Sequence, residues 1–199
     1  MEENARRDAP IVELAGVDGA GKSTVAQVVA EAFGWPALKF NPFPPAFHAT
    51  LGPIRDRFGQ RHVDAARAMA LGVCVLQETS TQAGPAVYDR HLESALMWWS
   101  VMGISPLPQP LLDALPRPDL VVLLDADPAV ASARMLESRI ETPQLQRWFS
   151  ESCAGYLRAA AREKGWVVVD AGRPLPEVCD VVLAEISGRL RVPYAARQA

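Results

Sequence analysis

Five short apolar runs recur along the chain, each closed by turn or acidic residues: Ile11 to Ala15, Ala37 to Phe40, Ala86 to Tyr88, Leu120 to Leu124 and Trp166 to Val169. Runs of this length, bounded in this way, predict strands. Between them apolar residues fall at helical spacing over Ser23 to Phe33, Val63 to Gln82, Leu92 to Met102, Ala129 to Ser138, Leu145 to Glu163 and Glu177 to Leu190, which predicts helices. Strands that alternate with helices pair in parallel through right-handed crossovers. The pattern therefore predicts an α/β chain, a three-layer sandwich around a five-stranded parallel sheet. LVVLL and WVVV lack polar alternation, as expected of strands covered on both faces. The proline-rich FNPFPPAF and ISPLPQP stretches are expected to be irregular, because proline lacks the donor that helix and strand interiors need.

Composition narrows the class. A length of 199 residues fits a single domain over 1–199, with about 1–9 and 192–199 as loose ends of little apolar pattern. A formal net charge of -3 argues against a long polyanionic partner, so no nucleic acid is expected. No apolar run approaches the roughly 18 residues of a membrane span. MEENARRDAP lacks the apolar core of a secretory signal, and a cytoplasmic location with no membrane contact is expected. Cys74, Cys153 and Cys179 form no C-x-x-C pair, and His48, His62 and His91 share no ligand spacing, so neither a disulfide framework nor zinc is suggested.

Chemistry enters at GVDGAGKST, residues 16–24, between the first strand and the first helix. A glycine-rich turn there lets successive backbone N–H groups face an anion, and the helix N-terminus adds partial positive charge. Gly16, Asp18, Gly19, Ala20, Gly21, Lys22, Ser23 and Thr24 are thus the candidate nucleotide-binding residues. Gly16 and Gly21 allow close backbone approach, Lys22 reaches the outer phosphates, and the Ser23 hydroxyl joins the shell of a phosphate-bound Mg²⁺. ATPases, GTPases and kinases all use such a loop, so it points to ATP or GTP with Mg²⁺ and leaves the reaction open. Other polar clusters fall where strands end: Asp89 and Arg90 after Tyr88, Asp125 and Asp127 after Leu124. The carboxyl ends of parallel strands share one edge with the loop, which puts Asp89 near Mg²⁺ and Arg90 near an anionic substrate.

GVDGAGKST, YDRHLESAL, PDLVVLLDADPAVASAR, SRIE and VVVDAGRPLPEV, in that order over nearly the whole chain, resemble the thymidylate kinase family of P-loop nucleoside monophosphate kinases. The resemblance implies transfer of the ATP γ-phosphoryl group to a nucleoside monophosphate, a pyrimidine deoxynucleotide such as dTMP. Such a reaction is catalysed by positioning and charge neutralisation. By the same resemblance Lys22, Asp89, Arg90 and Arg139 are catalytic. Lys22 bridges the outer phosphates, Ser23 and Asp89 hold Mg²⁺, Arg90 fixes the acceptor phosphate, and Asp18 meets the acceptor's sugar hydroxyl. A short lid over about 134–145 supplies Arg134 to the nucleotide and Arg139 as the catalytic finger, since Gly19 and Ala20 leave the loop without a cation. A homodimer is also implied.

The acceptor side departs from the family. KFNPFPPAF replaces a charged element, leaving Lys39 to give charge and Phe43 an apolar wall. Arg67 lies about where the family keeps a base-reading Arg. Trp98 and Trp99 replace a Tyr-Gln pair. Trp98 is a candidate pocket wall, although Met97, Trp98, Trp99 and Met102 on one helix suit core or dimer contact more readily. Two other readings stay open: a relative acting on a different phosphorylated metabolite, and a nucleotide hydrolase with little kinase activity.

Overall fold

The computed structural model describes residues 9–40, 45–104, 108–135 and 143–194. Along the chain run β1 (Ile11–Ala15), α1 (Lys22–Phe33), β2 (Ala37–Lys39), α2 (Pro45–Phe58), α3 (Gln60–Thr81), β3 (Ala86–Asp89), α4 (Leu92–Val101), α5 (Gln109–Ala114), β4 (Leu120–Asp125), α6 (Pro128–Met135), α7 (Pro143–Lys164), β5 (Val167–Asp170) and α8 (Leu175–Leu190). The expected five strands form one sheet in the order β2-β3-β1-β4-β5, all parallel. From β1 the chain first builds one side of the sheet, β2 and β3, and then crosses to the other, β4 and β5. The crevice of such a fold therefore opens at the carboxyl end of β1.

Every residue of β1 is buried. Val12 and Leu14 share a core cluster with Val25 and Val29 of α1 and with Val182 and Ile186 of α8, while α4 packs against α7. A second cluster joins Leu71 and Val75 of α3 to Tyr88, Leu92 and Trp99. The apolar residues of α4 are thus mainly core: Met97 and Trp99 are 1% and 2% exposed. An apolar stripe lies exposed instead on α3, where Met69, Val73 and Leu76 are about half exposed or more among the described residues.

The proline-rich stretches depart from expectation. FNPFPPAF runs into α2, which starts at Pro45 and carries Pro53 inside it. Proline is compatible with a first helical turn, whose N–H groups have no partner in the helix. Pro53 lies on an exposed face, where water can satisfy the carbonyl it leaves free. Pro108 and Pro110 of ISPLPQP likewise open α5. Nor is WVVV covered on both faces, because β5 is an edge strand with Val168 exposed. Residues 192–194, expected as part of a loose end, pack on the fold: Val192 N–H donates to Ser187 O at 3.2 Å, and the Tyr194 ring lies 5.3 Å from that of Phe33.

Candidate active site

At the carboxyl end of β1 the chain turns through Gly16 to Gly21 and enters α1 at Lys22. The first N–H groups of α1 therefore face the mouth of the turn. Gly19, at φ 84°, passes so close to α6 that a Cβ would sit 2.1 Å from the carbonyl oxygen of Ala131. Gly21 has open space around it, so its φ of 90° reflects a conformational need rather than a close approach.

Lys22 is 5% exposed, and its Nζ donates to Val17 O at 2.7 Å. Burial, reinforced by the neighbouring Arg90, pulls its amine down to about 7 against the attraction of Asp18 and Asp89. Ser23 Oγ donates to Asp89 Oδ2. Asp89 closes β3 in register with Leu14 of β1 and Lys39 of β2. Its second oxygen, Oδ1, is buried without a hydrogen-bond partner among the described residues. A hydroxyl beside a carboxylate with a spare oxygen is a donor set that suits Mg²⁺.

Arg90 follows with φ 70°, a left-handed conformation that costs a non-glycine residue about 1–3 kcal/mol. Its guanidinium donates to Asp18. From the last turn of α6, Arg134 Nη1 reaches Gly19 O at 3.4 Å. Lys22, Ser23, Asp18, Asp89, Arg90, Arg134 and Lys39 thus converge on one edge.

Two other expected site residues do not join them. Trp98 lies on the second turn of α4 with its ring 6.1 Å from Phe149 of α7, in helix packing. Arg67 meets Asp64 on its own helix at 4.0 Å. Arg139 and Phe43 lie outside the described residues, as does most of the expected lid.

The family model described as Thymidylate kinase matches residues 14–182, a span that contains the whole of this edge. The chain belongs to the thymidylate kinase family. A probable thymidylate kinase of Pyrobaculum calidifontis is 29% identical over 184 residues, with 88% of this chain and 94% of that protein covered. A thymidylate kinase of Leifsonia xyli subsp. xyli is 29% identical over 210 residues, covering 96% and 100%. Among solved structures, deoxyadenosine kinase from M. mycoides with bound dCTP superposes with a TM-score of 0.63 at 15% identity, over 89% of this chain and 99% of that one. That likeness concerns the fold.

Within this thymidylate kinase family frame, two polar groups lie in or beside the edge that the motifs did not mark. Arg158 of α7 clasps Asp125, with Nε 2.9 and 3.0 Å from its two oxygens, and no local sequence pattern signals that pairing. Glu13 is fully buried within β1, and its signal was an acid interrupting the run Ile-Val-Glu-Leu-Ala. Asp127 acts locally, accepting from Ala129 N at 2.7 Å to cap α6. A cleft of about 680 Å³ lined by Arg117, Lys164 and Trp166 opens at the opposite ends of β4 and β5. Its cations are already paired, Arg117 and Lys164 with the buried Glu93 and Arg189 with Glu185.

Proposed function

We propose that the chain transfers the γ-phosphoryl group of ATP to a nucleoside monophosphate, a pyrimidine deoxynucleotide such as dTMP. The observation that carries this reading is the pairing of Arg90 with Asp18 above a loop that already contains Lys22. A hydrolase needs cations for one triphosphate. A second guanidinium, held on the loop's own carboxylate, suits an enzyme that must bring a second anion to the first.

In the reaction an oxygen of the acceptor phosphate forms a bond to the γ-phosphorus as the bond to the β-γ bridging oxygen breaks, and ADP leaves. Lys22 swings from Val17 O to the outer phosphates. Arg90 exchanges Asp18 for the acceptor phosphate, and the freed Asp18 accepts from a sugar hydroxyl. Ser23 and Asp89 would hold Mg²⁺, which supplies charge neutralisation on the phosphates. Arg134 steadies the nucleotide beside Gly19, while Arg139 supplies the lid cation that meets the transferring group. Lys39 adds positive charge to the acceptor side, with Phe43 as an apolar wall.

A homodimer belongs to this proposal, and the exposed Met69, Val73 and Leu76 stripe of α3 offers it a face that the mainly buried α4 does not. No helix among the described residues is long and apolar enough to cross a membrane. A cytoplasmic location belongs to this proposal, as the place where ATP and nucleoside monophosphates meet. A coupled assay of ADP release with Mg-ATP tests the central reading. Release should depend on an added deoxynucleoside monophosphate, and equal release without any acceptor would leave a hydrolase.

A further inference from the structure

Glu13 is an acid placed inside the central strand, with no exposed surface. Its register partner is Tyr88, one residue before Asp89. Its carboxylate accepts from Glu93 N at 3.0 Å, Ser94 N at 2.8 Å and Ser94 Oγ at 2.6 Å, all in the first turn of α4. A carboxylate facing the start of a helix is favoured by charge-assisted hydrogen bonds and by the helix dipole. Arg117 and Lys164 both pair with the neighbouring Glu93. Burial, with the nearby Glu93, pushes the Glu13 carboxyl above its usual range, and the three hydrogen bonds from the start of α4 work against that shift; the same bonds tie the start of that helix to β1.

The position of α4 matters because the connection before it is so short. Only Arg90 and His91 separate Asp89 at the end of β3 from Leu92 at the start of α4. Asp89 is held in register between Leu14 and Lys39. His91 is fully buried, its ring 4.7 Å from Tyr88 and 5.4 Å from Phe40. With both ends fixed, Arg90 absorbs the geometry of the turn at φ 70°.

We propose that Glu13 is a positioning residue for phosphoryl transfer: by latching the first turn of α4 onto β1, it holds Arg90 in the left-handed conformation that carries its guanidinium to Asp18 and the phosphate loop. This rests on the reading above that Arg90 binds the acceptor phosphate. The latch needs a group that only accepts. A glutamine at this position has one accepting oxygen, and its NH₂ would face one of the donors of α4.

The test is a double-mutant cycle between Glu13→Gln and Arg90→Ala, using dTMP as acceptor and Mg-ATP as donor. Glu13→Gln should lower kcat/KM for dTMP about tenfold or more while KM for ATP stays within about twofold, as expected when one reacting group is misplaced. On an Arg90→Ala background it should add nothing. A crystal structure of Glu13→Gln should show Arg90 outside the left-handed region. Losses that multiply in the double variant would mark independent effects and overturn the proposal, as would an unchanged Arg90 conformation or unchanged kinetics. If Glu13→Gln does not fold, Ser94→Ala, which removes only the Oγ bond, goes through the same cycle and crystallography under the same criteria. Arg90→Ala alone tests the underlying reading. If it leaves kcat/KM for dTMP intact, the role of Arg90 fails, and the crystal structure still decides whether Glu13 sets its conformation.

Discussion

Lys22 donates from Nζ to the carbonyl of Val17 at 2.7 Å, so the phosphate loop is closed by its own lysine. In that position burial, with Arg90 nearby, holds the amine at about 7. A triphosphate brings negative charge to the amine and restores its ordinary basicity. ATP binding should therefore take up close to no protons at about pH 5.5, rising toward about one per site at about pH 8.5. Titration calorimetry in buffers of different ionisation heat measures this uptake, and Lys22→Met should abolish it.

The same lysine sets a stability dependence of definite sign. Its folded value of about 7 lies below the ordinary 10.5, so between these values the unfolded chain binds more protons. Its contribution is full above 10.5 and is lost as pH falls through about 7. Lys22→Met should thus raise the melting temperature more at pH 6 than at pH 10, while removing a phosphate clamp worth about 3 kcal/mol or more to catalysis. A folded variant with near-normal turnover would refute the assignment of the loop, and a lower melting temperature at pH 6 would refute the burial argument.

Gly19 is limited by packing as well as by conformation. A Cβ there would lie 2.1 Å from the Ala131 carbonyl at a φ of 84°, so α6 must move away or the loop must flatten. Gly19→Ala should cost about 1–3 kcal/mol in denaturant unfolding. It should also weaken ATP binding, because Arg134 is carried on the helix that moves. Gly34→Ala, with no neighbour within 4 Å and φ 69°, serves as a control for strain without the clash.

Arg134 and Arg139 should separate kinetically. Arg134 already touches the loop at Gly19 O, so Arg134→Ala should raise KM for ATP. Arg139→Ala should lower kcat far more than it weakens ATP binding, because a lid guanidinium meets the transferring phosphoryl only on closure. A kcat loss from Arg134→Ala with none from Arg139→Ala would move the finger to Arg134.

The strands and the phosphate loop were legible because their signals are local: an apolar run, glycines where φ is positive, a lysine and serine at fixed offsets. Asp89 and Arg90 could be read as neighbours of the loop because a parallel sheet brings strand ends together. α2 was not legible, because Pro45 and Pro53 look alike in sequence whether they start, interrupt or exclude a helix. What decides is where each one falls: Pro45 opens the first turn, whose N–H groups have no partner in the helix, and Pro53 lies on an exposed face. The roles of Trp98 and Trp99 were equally hidden, since an apolar helix beside a site reads the same whether it lines a pocket or packs on α7. Arg158 and Asp125 lie 33 residues apart, and no local pattern announces a pair that only the packing of α7 creates.

The acceptor side gives the last prediction. Trp99 is core, and Trp98 packs against Phe149, so neither supplies a hydrogen bond to a base. The polar groups at the edge, Asp18, Arg90 and Lys39, are suited to a sugar hydroxyl and a phosphate. Apolar walls distinguish similar ligands by only about 1–3 kcal/mol, whereas a site built to hydrogen-bond a group rejects its absence much more strongly. The enzyme should therefore prefer dTMP over dUMP and dCMP by no more than about 200-fold in kcat/KM, and removal of the 3'-hydroxyl should cost more than a change of base. Asp18→Asn should reduce that sugar preference while leaving the ranking of bases unchanged. Specificity constants for dTMP, dUMP, dCMP and 3'-deoxythymidine monophosphate measure both effects. Strict selection of thymine with indifference to the 3'-hydroxyl would show that a base-reading group, such as Arg67 brought in from α3, governs the choice instead of Asp18.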